Sequence, residues 1–140
     1  MKRPTLEKIT HIGLAFVDER GTISNIFEGP IIHVAYITSK KGSVRANHYH
    51  KTLHQYIYLV SGELESYCCD VNNPEQRQKL LVKAGDLIDT PPMVAHAQKF
   101  LQDSSFIALS TKARNEGQYE EDTHAFPIIE GYINKNLKIG

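Results

Sequence analysis

Three histidines have the types and spacing that could do chemistry in this chain. His48 and His50 are separated by one residue, and side chains two apart on a β-strand point to the same face. Two imidazoles on one face suit a metal ion, a proton relay or an anionic ligand. The segment around them reads Gly42, five residues, His48, one residue, His50, four residues, Gln55, six residues, Gly62. A second segment reads Gly85, five residues, Pro91-Pro92-Met93, two residues, His96, three residues, Phe100. Its glycine and prolines make a turn, and His96 follows at a fixed offset, which brings a third imidazole from a separate strand. The chain has 7 histidines in 140 residues, and His48, His50 and His54 cluster within one short stretch.

Short strands must position these groups. His33 to Thr38 reads as a strand, Lys40 to Ser43 as a turn, and Gln55 to Val60 as a strong strand. Ser61-Gly62 closes a tight turn, and Leu64 to Val71 is the hairpin partner. Asn72-Asn73-Pro74-Glu75 reads as a loop. Lys79 to Val82, Leu87 to Asp89 and Phe106 to Ser110 are further short strands. This succession predicts an all-β sandwich or barrel. From 113 to 140 the pattern becomes a tail. Glu116 to Asp122 reads as one helical turn or a loop, and Phe126 to Ile129 as an apolar patch that packs onto the barrel or a partner.

Composition sets the outer limits. One domain spanning 1–140 is expected, with its barrel core over about 9–112. Sixteen basic and sixteen acidic residues balance, which leaves no basic footprint for nucleic acid. No apolar run is long enough to cross a bilayer. Met1 to Thr5 lacks the apolar stretch of a signal peptide, so a cytoplasmic setting is expected. Cys68 and Cys69 are adjacent and close almost no loop, so they read as plain strand residues.

The two histidine segments resemble the two motifs of the cupin superfamily. The resemblance implies a small single-domain cupin, a double-stranded β-helix or jelly-roll barrel. In that pattern the first motif gives two histidines and a glutamate, and the second gives one histidine. Here the glutamate position falls on Gln55 counted back from Gly62, or on His54 with the shorter spacing. Gln55, Ile57 and Leu59 share one face, and His54, Tyr56 and Tyr58 share the other. The aliphatic face suits the interior, which favours Gln55. The motif's glycine is Met93 and its asparagine is Phe100. With neutral Gln55 in place of a carboxylate, a metal held by His48, His50, Gln55 and His96 would be bound weakly.

A narrower resemblance rests on Asp18-Glu19-Arg20-Gly21-Thr22, Arg45, His48-Tyr49-His50-Lys51, Gln55, Ser61-Gly62 and the step from Pro92 to His96. The Leu109-Ser110 strand and the tail residues Glu120, Asp122 and Phe126 extend it. These are similar to the RmlC-like dTDP-4-dehydrorhamnose 3,5-epimerases and dTDP-4-keto-6-deoxyglucose 3,4-ketoisomerases. Asn47-His48-Tyr49-His50 also resembles the cupin module of bifunctional capsule-precursor reductases. The resemblance implies isomerase or epimerase chemistry on a nucleotide-linked keto sugar. His48 would be the base, His50 would shuttle or orient the proton, and Tyr36 would donate to the oxyanion. Arg20 and Arg45 would bind the diphosphate. No cofactor is implied for a ketoisomerase. The alternative is a cupin that binds a divalent metal (Zn, Fe, Mn or Ni), with oxygenase-type chemistry or a ligand-binding role. A homodimer is expected, with the apolar segment Ile9 to Val17 adding to a neighbour's sheet edge.

Overall fold

The computed structural model describes residues 6–113 and 121–131 and the backbone of 138–139. Thirteen strands occur among them: β1 (Lys8–His11), β2 (Phe16–Asp18), β3 (Gly21–Ile23), β4 (His33–Ser39), β5 (Val44–Tyr49), β6 (Gln55–Ser61), β7 (Glu63–Asp70), β8 (Asn73–Lys83), β9 (Asp86–Thr90), β10 (Val94–Phe100), β11 (Ser104–Ser110), β12 (His124–Ala125) and β13 (Lys138–Ile139). One sheet runs β1-β9-β6-β11-β4 and a second runs β13-β12-β5-β10-β7-β8. The hairpin β2–β3 forms a small sheet of its own. All pairings are antiparallel except β12 with β13.

The core joins the inner faces of the two large sheets. Ile57, Leu59, Ile88, Phe106 and Ala108 from the first pack with Leu64, Val82 and Phe100 from the second. Phe100 and Phe106 stack across the interior at 5.6 Å between centroids. In β6 the alternation holds as the sequence predicts: Gln55, Ile57 and Leu59 are buried, while Tyr56 and Tyr58 are half-buried. The result is an all-β jelly-roll of two facing, largely antiparallel sheets.

Three local features depart from the sequence reading. The Asn72–Glu75 loop shrinks to Val71-Asn72, because β8 already begins at Asn73. Pro74 is tolerated there because β8 is an edge strand, where a missing N–H breaks no ladder. The N-terminal segment divides: Lys8–His11 pairs with β9 of its own chain, and residues from Phe16 on enter the hairpin. Met93, at the motif's glycine position, adopts a left-handed backbone with φ of 66°. The region from Glu116 to Glu120 lies outside the described residues.

One irregularity sets up the site. Ala46 and Asn47 both have positive φ, at 71° and 55°. Across the ladder Ala97 faces Ala46 and His96 faces His48, so Asn47 is the extra residue of a β-bulge. The bulge resets the alternation. Arg45 faces Gln98 and His48 faces His96, so two residues three apart in β5 share one face of the sheet.

Candidate functional site

His48 and His50 come from β5 and the residue after it, and His96 comes from the neighbouring β10. One ring nitrogen from each lies within 4.8 Å of those of the other two. Ring centroids are 4.8 Å apart for His48–His50, 4.7 Å for His48–His96 and 5.6 Å for His50–His96. His50 and His96 are buried, while His48 is half-buried and the most open of the three.

Hydrogen bonds fix two of the tautomers. His96 Nδ1 is 3.1 Å from the carbonyl of Val94. A carbonyl only accepts, so Nδ1 carries the proton and Nε2 presents its lone pair. Burial, reinforced by nearby His50, pushes the His96 pKa down to about 3, so the ring is neutral at any working pH. His50 Nδ1 lies 2.9 Å from the backbone carbonyl of Asp122, with Thr123 Oγ1 at 3.3 Å. The same logic protonates His50 at Nδ1 and leaves Nε2 as an acceptor.

The C-terminal segment braces β5 from behind. β12 pairs with it, setting Ala125 opposite His48 and His124 opposite Tyr49. Asn47, fully buried, accepts from the N–H groups of Ile128 (2.9 Å) and Ile129 (3.2 Å) through Oδ1 and donates to the Ile129 carbonyl at 3.1 Å. Asp122 accepts from the backbone N–H groups of Lys51 (2.7 Å), Thr52 (2.9 Å) and Leu53 (2.7 Å) and from Thr52 Oγ1 (2.8 Å). Burial opposes ionisation of Asp122, but these donors outweigh it and hold the carboxyl at about 2. Tyr49, Cys69 and Ala95 pack on this outer side with Val71, Met93, Phe126 and Ile128.

The other residues singled out by sequence fall in different places. Gln55 is buried, and its Oε1 has no hydrogen-bond partner among the described residues. His54 turns to the opposite face, where its Nε2 meets the Asp89 carboxylate and its ring stacks on Tyr56. Arg45 reaches to β4, donating from Nε to Ser39 Oγ (3.1 Å) and from Nη2 to the Thr38 carbonyl (2.8 Å). It lines a surface cavity of about 690 Å³ together with Lys40, Ser61, Ser104, Ser105 and Tyr36. Tyr36 does not join the imidazoles. It is 66% exposed, because its β4 neighbours Ala35 and Ile37 take the inward positions. Arg20 is also apart from them, in the β2–β3 turn, where its guanidinium pairs with Asp18 at 2.6 Å.

Glu7 is a buried polar group that the sequence pattern did not reveal. Its carboxyl accepts from Ser66 Oγ on β7 and from Thr90 Oγ1 on β9 (2.6 Å), joining the two sheets inside the barrel. Thr90 is the cross-strand neighbour of Gln55. Burial raises the Glu7 pKa, and these hydrogen bonds only partly offset the rise. Burial first, and then Glu7, pushes the Cys68 thiol up to about 12, so Cys68 is no nucleophile.

The Cupin family model matches residues 29–139. The chain belongs to the cupin family. No curated protein sequence matches this cupin. Among solved structures it is similar to a double mutant of the QdtA 3,4-ketoisomerase from Thermoanaerobacterium thermosaccharolyticum in complex with TDP. That match has 21% identity and a TM-score of 0.69, covering 86% of this chain and 88% of that one. It is similar to the dTDP-4-dehydrorhamnose 3,5-epimerase from Sulfolobus tokodaii at 21% identity and TM-score 0.67, covering 89% and 80%. It also matches the capsular polysaccharide assembling protein CapF from Staphylococcus aureus at 23% identity and TM-score 0.63, covering 84% of this chain and 34% of CapF. At these identities the likeness is one of fold. Among the described residues no helix is long and apolar enough to cross a membrane.

Proposed function

We propose that this cupin isomerises or epimerises a nucleotide-linked keto sugar by histidine-based proton transfer. The observation that carries the reading is the convergence of His48, His50 and His96, with ring nitrogens within 4.8 Å of one another. Moving a carbonyl along a sugar requires removal of the proton on the adjacent carbon, and imidazole has the basicity for that near neutral pH. His48, the most open of the three, is the base. His50 accepts at Nε2 and passes or orients the proton. His96 stays neutral and lines the pocket as an acceptor. Arg45 is the diphosphate ligand in this reading, because its strand position lies two residues along β10 from the His48 row, ~7 Å. The TDP bound by the QdtA ketoisomerase and the sugar chemistry of that neighbour support the substrate class. The protein would work as a cytosolic homodimer.

Thermal-shift measurements with TDP, UDP, GDP and CDP test this directly, and protection by none of them sinks the reading. With a nucleotide-linked 4-keto-6-deoxyhexose as substrate, His48→Ala should lose about 10³-fold or more in turnover and keep the circular dichroism of the fold. Loss of the fold would make His48 structural.

A second reading has its own observation. Gln55 Oε1 and His96 Nε2 are buried acceptors with no partner among the described residues, and His96 lies beside two further imidazoles. This neutral N/O set fits a divalent ion such as Zn, Fe, Mn or Ni, with His48, His50, His96 and Gln55 as ligands. Bound there, the ion would supply Lewis-acid polarisation of a substrate oxygen. Metal analysis of protein purified without chelator separates the readings: stoichiometric iron would favour the second.

A further inference from the structure

We infer that Asp122 is a positioning residue, which sets the tautomer and ring orientation of His50 from the far end of the chain. The role in turnover rests on the reading above, but the effect on the His50 ring does not. Asp122 uses both of its polar ends. Its carboxylate takes four hydrogen bonds from the turn that follows His50: the N–H groups of Lys51, Thr52 and Leu53 and the Thr52 hydroxyl, all at 2.7–2.9 Å. This locks the residue against the 51–53 backbone. Its own carbonyl, held in place by that lock, then meets His50 Nδ1 at 2.9 Å. The bond forces the proton onto Nδ1 and turns Nε2 towards His48 and His96. A histidine whose far nitrogen is tied to a carbonyl is oriented by that partner, and removing such partners typically costs about 10- to 100-fold in activity or metal affinity.

The arrangement is hard to explain as tail anchoring alone. The tail already has other attachments to β5, among them the β12 pairing, the Asn47 side chain and the packing of Phe126 on Tyr49. The Asp122 carbonyl makes the shorter of the two tail contacts to a site imidazole, 2.9 Å against 3.3 Å for the neighbouring Thr123 hydroxyl, and of the two Asp122 alone also grips the 51–53 turn through its side chain. His96, by contrast, takes its orientation from Val94 on its own strand, so it serves as an internal control.

Asp122→Asn tests the inference. An amide nitrogen would face one of the N–H donors that the carboxylate now accepts, so the lock would loosen at nearly constant volume. With ¹⁵N-labelled histidine, NMR distinguishes the protonated from the bare ring nitrogen. The wild type should show His50 protonated at Nδ1. In Asp122→Asn, His50 should become a mixture of tautomers while His96 stays as it was, and kcat should fall ~10- to 100-fold with KM changed less than ~3-fold. A folded Asp122→Asn protein with the His50 tautomer intact overturns the inference. So does one in which His50 and His96 change together, because that is general loosening. If Asp122→Asn does not fold, Thr52→Ala decides. It removes one of the four bonds, and an unaltered His50 tautomer there overturns the inference. A wild type inactive on every nucleotide-linked keto sugar would count against the proposed reaction and leave the NMR result to judge the positioning.

Discussion

His96 and His50 reach the same site by opposite means. His96 sits in the middle of its sheet with a strand on each side, and its orienting bond goes to Val94, two residues back on β10. His50 follows the end of β5, and its orienting bond goes to Asp122, 72 residues away. The first histidine is held by the barrel itself. The second is held by a segment added behind the barrel. One half of the site should therefore survive loss of the tail contacts, and the other should not.

Asn47 is where that difference should break most visibly. It holds a left-handed backbone that few non-glycine residues adopt, and its buried amide makes three hydrogen bonds to Ile128 and Ile129. Asn47→Ala should cost about 2–4 kcal/mol, combining lost buried bonds with a poorer fit to positive φ. Asn47→Gly removes the same side-chain bonds and fits the backbone freely, so it should be about 1 kcal/mol less damaging. Urea unfolding of both variants checks this. Equal losses would mean that the bulge geometry carries no cost, and no loss in either would mean that the tail is not braced through Asn47.

Phe126 offers a milder break on the same side. It packs on Tyr49, with ring centroids 6.0 Å apart, and is only partly buried. Phe126→Ala should cost about 1–2 kcal/mol, below the range for a fully buried phenylalanine. Hydrogen exchange should rise in β5 and β12 and stay unchanged in β10 around His96. Equal acceleration in β10 would erase the contrast between the two halves.

The sequence made the self-held half legible and left the other obscure, for a physical reason. Strand alternation and turn residues are local signals. They placed Gln55 inward, ended β6 at its glycine turn and brought His48 and His96 within one pattern. Gly62 illustrates how firm such a signal can be: its φ is 94°, and a Cβ there would lie 2.0 Å from Ser104 Oγ. Asp122 and Glu7 gave no such signal, because their partners lie some sixty to eighty residues away and a lone carboxylate has no periodicity. Arg45 and His48 are three residues apart, so simple alternation sets them on opposite faces, and only the Asn47 bulge brings them to one. Tyr36 has the residue type of an oxyanion donor, and its position in β4 turns it outward, which residue type alone does not reveal.

The smallest expected effect sharpens the comparison from the β10 side. Glu7 lies against Ser66, Thr90 and Cys68, and Cys68 is the cross-strand neighbour of His96. Burial favours its neutral form, and Asp89 reinforces the effect. A carboxyl whose folded pKa lies above its unfolded value gives its full contribution below the ordinary glutamate range. It loses that contribution as pH rises through the elevated value. As pH rises above the ordinary glutamate range the wild type should therefore lose stability relative to Glu7→Gln, which cannot ionise at this position. Near pH 5 the variant should be equal or slightly less stable, by under about 1 kcal/mol, since an amide replaces a hydrogen-bonding acid. Near pH 8 it should be the more stable of the two. Paired thermal melts across this range check the crossing. Parallel curves would mean that Glu7 is accommodated as a charge, and that its buried hydroxyl partners, Ser66 and Thr90, compensate fully for its loss of water.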